Sequence, residues 1–302
     1  MPVERIAIIT REQWLALRQN DVTASAVGAL FGVHPYSTLL ALWNEKRGLE
    51  LDPPDQAILE RGQLLEPIAA HQAGKKRPTW IITKAAEYLR DPATRIGATP
   101  DYYIDDNGRR GVLQVKTVDP FEFERSWTEE TPPFWITLQN ATEVMLDNAE
   151  FGAVAAMVLN SRLDTYVYDI PRHAASEKRI VEAVKAFWAN VETNTEPKPD
   201  YSRDGPLIAM MWPREKPGKV IDLRGDNALP GLLEDRERWK GIAKEASGHL
   251  ETINAEIADK LRDAEAALVR DWRLTYKEQH RKEYMVRATS FRVLRASKEV
   301  SP

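Results

Sequence analysis

Pro100-Asp101 and, after a short turn-rich insert, Gln114-Val115-Lys116 are the residues most suited to chemistry in this chain. A carboxylate at the tip of one strand with a lysine on the next strand suits a metal-dependent phosphodiesterase. Hydrolysis of a phosphodiester needs an activated water, charge stabilisation on the phosphate and relief for the leaving oxygen. Hard divalent cations held by oxygen ligands supply much of this. Asp101 can be one ligand and the backbone carbonyl of Val115 another. Lys116 can orient or help deprotonate the attacking water. Glu66, in Arg61-Gly62-Gln63-Leu64-Leu65-Glu66-Pro67, is a reasonable further ligand from a neighbouring helix. The position before Val115 is usually acidic in such cores. Here it is Gln114, a neutral and weaker ligand, so metal affinity should be lower without being abolished. Spacing alone leaves an alternative open: Asp101 as a turn residue and Lys116 as a solvated strand lysine.

These residues must be positioned by a mixed set of elements. Val112 to Val118 reads as a strand whose two-residue period puts Gln114 and Lys116 on one face and Leu113 and Val115 on the other. Asp105-Asp106-Asn107-Gly108 is a hairpin-type turn. It joins that strand to one running from Ile96 to Ile104. Thr79 to Thr83 is a further strand. Residues 11–47 read as two helices, with Thr10 as an N-cap and Ser37 or Thr38 as another. Residues 56–73 form a longer helix containing Pro67, and Phe134 to Leu146 another, with Trp135, Leu138, Thr142 and Met145 at helical spacing. Strands are expected at 151–159 and 163–169, a helix at 173–192, and loop over 194–220. Residues 232–270 read as one long charged helix with a sparse apolar stripe. Two strands then follow, at 272–277 and at 284–294. The stretch 273–298 holds eight Lys or Arg against two Glu and is the chain's basic patch.

Composition narrows the classes. The 302 residues contain no cysteine, which excludes disulfides, thiolate zinc sites and cysteine nucleophiles. A formal net charge of −4 means that any polyanion site is a local patch. No apolar run is long enough for a bilayer and no leader is read, so no membrane partner and a cytoplasmic setting are expected. The five histidines show no zinc-type spacing, and Trp127, Trp135 and Trp188 read as core or interface residues rather than base-stacking platforms.

Several segments, in order, resemble the YqaJ-like viral recombinase family, the phage alkaline exonucleases related to lambda exonuclease, within the PD-(D/E)XK nucleases. They are Trp14-Leu15-Ala16-Leu17-Arg18 with Val22-Thr23-Ala24-Ser25, then Gly32 to Thr38 with Leu42-Trp43. Gly62 to Pro67, Ile96 to Asp101 and Gly111 to Thr117 follow. Two positions depart from the pattern: Tyr102, where Gly is usual, and Gln114. The resemblance implies an α/β, restriction-endonuclease-like fold, a central mixed sheet flanked by helices. A nuclease domain at 1–221 would precede a helical arm and small β element at 222–302. It implies Asp101, Gln114, Val115 and Glu66 around Mg2+ (Mn2+ substituting), with Lys116 catalytic. It also implies Arg18 and Ser25 on the terminal 5′ phosphate of DNA and Gln139 beside the site. Ser25 near a helix start and a forked Arg18 guanidinium suit phosphate; an ordinary N-cap serine and a surface arginine are the alternative.

The activity implied is a 5′-to-3′ exonuclease on double-stranded DNA ends in phage-type recombination. Its single-stranded tails would pass to a single-strand annealing protein, and it could act as a homo-oligomer, such as a trimer. The setting would be a bacterial host cell, with a phage or prophage gene. A DNA-end-binding or assembly protein without turnover, and a structure-specific endonuclease, are the alternatives.

Overall fold

The computed structural model describes residues 2–49, 55–280 and 290–296. They divide between two compact units, 1–208 and 209–302. The first unit begins with strand β1 (Glu4–Ala7) and helix α1 (Arg11–Asn20), capped by Thr10, whose hydroxyl accepts from the Gln13 N–H at 3.1 Å. After β2 (Val22–Thr23), a 3-10 turn over Ala24–Ala26 leads into α2 (Val27–Leu30). Thr38 caps α3 (Leu39–Lys46), and α4 (Gln56–Lys76) runs through Pro67. Strands β3 (Trp80–Lys84), β4 (Glu87–Asp91), β5 (Ile96–Ala98), β6 (Tyr102–Asp106) and β7 (Arg109–Val118) follow. Then come α5 (Pro120–Ser126), α6 (Phe134–Asp147), β8 (Phe151–Val158), β9 (Thr165–Pro171), α7 (Ala174–Glu192) and α8 (Gly205–Met211).

The fold is mixed α/β. A five-stranded sheet in the order β3-β6-β7-β8-β9 is antiparallel except for the parallel β7–β8 pair. That crossover is made by α6, the connection a parallel pair requires. A second sheet has the order β1-β4-β5-β2.

Both faces of the five-stranded sheet are covered, so the middle of β7, Gly111 to Val115, is buried without interruption. Leu113 and Val115 pack with Ala69, Ala70 and Ala73 of α4. Val112 packs with Val144 of α6, and Val118 with Ile136. The expected alternation therefore holds, and the α6 face is the one that receives Gln114 and Lys116. Helix α6 ends at Asn148 in the left-handed region (φ 56°). Its last residue, Asp147, has a fully buried side chain. It receives Arg110 of β7 at 2.6 and 2.7 Å and Arg5 of β1 at 2.6 Å, so one carboxylate joins the two sheets.

Several expectations are corrected. Ile96 to Ile104 is two strands in different sheets, parted at 99–101. β1, β4, α5 and α8 were not foreseen. In the second unit the long helix, α9 (Leu229–Leu261), ends nine residues early. Leu268 lies instead in a hairpin of β10 (Ala266–Val269) and β11 (Trp272–Thr275). The strand expected at 284–294 falls partly outside the described residues, and its described part, 290–294, forms none. The basic stretch 273–298 likewise lies partly outside them. No described helix is long and apolar enough to cross a membrane.

Candidate active site

Asp101 sits in the break between β5 and β6. Its Oδ2 accepts the Val115 N–H at 2.8 Å and a second hydrogen bond from the side-chain amide of Gln114. The same Gln114 nitrogen donates to the Val115 carbonyl at 3.3 Å. Asp101 and the Val115 carbonyl thus converge on one point, and an NH2 group stands there. The orientation is fixed chemically: a carboxylate and a carbonyl only accept, so the group between them must donate.

The remaining amide atoms follow from this. Gln114 Oε1 accepts from Gln139 Nε2 at 2.8 Å, which also donates to Glu143 Oε1 at 3.0 Å. Gln139 Oε1 accepts from Lys116 Nζ at 3.0 Å. The ammonium of Lys116 therefore orients Gln139, and Gln139 orients Gln114. Burial pushes the Asp101 carboxyl up to about 6; Lys116 and the Val115 N–H pull against it, and Glu66 adds to the rise. Burial pushes Glu143 higher still, aided by the negative charge of Asp101.

Glu66 is less closely joined. It lies on α4, across the sheet from α6, and its carboxylate pairs with Lys84 of β3. Lys84 also lies over the Tyr102 ring, 4.7 Å from its centroid.

Arg18 and Ser25 lie side by side. Arg18 Nη2 is 3.4 Å from Ser25 Oγ, and its guanidinium covers the Trp14 ring at 4.4 Å. Ser25 Oγ also lies 3.1 Å from Thr23 Oγ1. Burial lowers the pKa of Arg18, a cation largely withdrawn from water. Between this pair and the Asp101 network stand His34 and Trp135, with ring centroids 5.1 Å apart; Lys116 Nζ lies 5.5 Å from the Trp135 centroid. Arg203 holds the His34 loop by donating to the His34 carbonyl at 2.6 Å. The close packing depends on Gly28, where a Cβ would stand 2.9 Å from Trp135 Cβ.

Sequence reasoning passed over Glu143 and gave His34 and Trp135 no part in a site. Glu143 carried a signal: it lies four residues after Gln139, hence on the same helix face. No cluster of three or more His, Cys, Asp or Glu side chains poised for a metal occurs among the described residues. The donors that do converge, Asp101 and the Val115 carbonyl, are hard oxygens of the kind Mg2+ prefers, and they fit such an ion. Gln114 would have to turn its amide to present oxygen to it.

The solved structures similar to this chain include LHK-Exo in complex with dAMP, at 20% identity and TM-score 0.50, with 66% of this chain and 100% of that chain covered. The alkaline exonuclease LHK-Exo from Laribacter hongkongensis matches at 21% identity and TM-score 0.49, with the same coverage. A phage related exonuclease from Haemophilus somnus 129PT matches at 13% identity and TM-score 0.42, covering 58% and 96%. The first of these shows a shared fold. No curated protein matches the chain. Residues 13–135 match the YqaJ-like viral recombinase domain, a span holding Arg18, Ser25, Glu66, Asp101, Gln114 and Lys116.

Proposed function

We propose that this protein is a metal-dependent 5′-to-3′ DNA exonuclease acting on duplex ends in phage-type recombination. The observation that carries this reading is the convergence of Asp101 and the Val115 carbonyl on one point, linked to Lys116 through the amides of Gln114 and Gln139. Mg2+, or Mn2+ in its place, would be held by those two oxygens, with Gln114 through its amide oxygen and Glu66 from α4. Such an ion polarises the phosphate and lowers the pKa of a bound water. Lys116 orients the attacking water and answers negative charge on the phosphate. Gln139 holds the Lys116 ammonium on the α6 side of the site. Arg18 and Ser25 take the terminal 5′ phosphate, Arg18 through its planar fork.

The match of residues 13–135 to the YqaJ-like viral recombinase domain and the neighbours' names support the substrate. LHK-Exo is an alkaline exonuclease whose solved complex contains dAMP. The 5′-to-3′ polarity, a single-strand annealing partner and a trimeric assembly rest on the family resemblance.

The test is a Mg2+ titration against a 5′-labelled linear duplex and a closed circle of the same sequence. Loss of label from the linear form alone is the expected result. Cleavage of the circle would make the protein an endonuclease. A second reading, end binding without turnover, is favoured by the neutral Gln114, whose amide donates to Asp101. Retention of linear duplex without cleavage, in Mg2+ and in Mn2+, would establish it.

A further inference from the structure

The acid usually found at position 114 is absent here, yet the α6 side of the site holds a carboxylate that the scheme above does not use. Glu143 is 1% exposed. Its Oε1 accepts from Gln139 Nε2 at 3.0 Å, Asn140 adds a weaker polar contact to the carboxylate, and its Oε2 has no hydrogen-bond partner of good geometry among the described residues. A carboxylate shut from water is strongly disfavoured unless it is protonated or answered by positive charge. Lys116, the ammonium closest in this network, donates to Gln139 and not to Glu143.

We propose that Glu143 supplies the second negative charge of the cation site, replacing the acid missing at position 114. The inference rests on the nuclease reading above. Gln139 Nε2 touches Gln114 Oε1 at 2.8 Å and Glu143 Oε1 at 3.0 Å, so the two oxygens flank a single NH2 group. Glu143 is therefore one amide removed from the side chain whose charge it replaces. With both carboxyls ionised against a bound cation, Glu143 and Asp101 bring the site to two negative charges, the number that neutralises one divalent cation; Asp101 with Gln114 brings only one. Glu143 acts here as a charge placed through Gln139, a positioning residue rather than a group in contact with DNA.

The test is Mn2+ binding followed by calorimetry and by the electron paramagnetic resonance signal of free Mn2+. The proteins are the full chain, Glu143→Gln, and the exchange variant Gln114→Glu with Glu143→Gln. The expected result is an affinity at least about tenfold weaker for Glu143→Gln, as for other groups that support metal ligands. The exchange variant should bind within about threefold of the unchanged chain, since it moves the charge without removing it. Equal affinity in Glu143→Gln and the unchanged chain would overturn the proposal while leaving the nuclease reading intact. So would an exchange variant no better than Glu143→Gln. An unchanged chain that neither takes up Mn2+ nor cuts DNA would overturn the nuclease reading, and this proposal with it. Should Glu143→Gln fail to fold by circular dichroism, the exchange variant, which keeps one carboxylate in the network, decides alone.

Discussion

Lys116 of β7 donates its ammonium proton to Gln139 Oε1 of α6 at 3.0 Å, across the interface between sheet and helix. This bond makes the placement of the lysine depend on a helix residue, and it also fixes which way the Gln139 amide points.

Removing the ammonium tests its chemistry. Lys116→Ala should lower the single-turnover rate of duplex degradation by about 100-fold or more, the lower end of what a positioned proton-handling group contributes. The melting temperature should fall modestly, because the buried Gln139 Oε1 loses its donor. A variant that cuts as fast as the unchanged chain would remove Lys116 from the mechanism.

Removing the acceptor has a different signature. Gln139→Leu leaves Gln114 Oε1 and Glu143 Oε1 without their shared donor and Lys116 without its acceptor. Each buried polar group left unpaired costs about 1–3 kcal/mol. Urea denaturation should therefore show a loss of that order, together with slower cleavage. A loss of rate at full stability would confine Gln139 to a kinetic role.

His34 gives the acid side a directional test. Burial holds the imidazole down at a pKa of about 4, with Arg203 and Lys116 pulling the same way. The unfolded chain takes up that proton near pH 6.5, roughly the value of a free imidazole. Stability from His34 is therefore constant above about pH 6.5 and declines as pH falls towards about 4. Asp101 and Glu143, both raised by burial, act in the opposite sense. The informative quantity is thus the stability of the unchanged chain minus that of His34→Gln, measured by urea denaturation between pH 7.5 and 4.5. It should shrink as pH falls; a constant difference would show that His34 does not titrate as its burial implies.

Gly28→Ala probes the packing under the site. The added Cβ would stand 2.9 Å from Trp135 Cβ and 3.3 Å from His34 Cβ, so α2 and α6 must part or Trp135 must shift. Overpacking of this kind costs about 1–3 kcal/mol. Near-ultraviolet circular dichroism should report the moved indole, and thermal melting the lost stability. An unaltered spectrum and midpoint would mean that the contact gives way freely.

Where sequence and structure agree, the cause is local. The faces of β7 follow from the two-residue period, and Gln114 and Lys116 accordingly meet α6. Thr10 and Thr38 announce helix starts because a hydroxyl there accepts from the first turn. The departures come from pairing over distance. β1 and β4 are four- and five-residue strands that exist through each other, from Glu4 opposite Arg90 to Ala7 opposite Glu87. The stretch from Ile96 to Ile104 reads as one strand, yet its two halves join different sheets, and that parting is what brings Asp101 beside Val115 of β7. Glu143 was missed because a charged helix residue reads as solvated. Only the sheet packed over α6 buries it, and no short window of sequence records that cover.

Asp147 carries a practical consequence. Its carboxylate is gripped by Arg110 from one sheet and by Arg5 from the other. Clipping the first seven residues, or forcing a bulky affinity tag against them, would strip away one of these two clamps. The helix that presents Gln139 would then be fastened at its far end from one side alone.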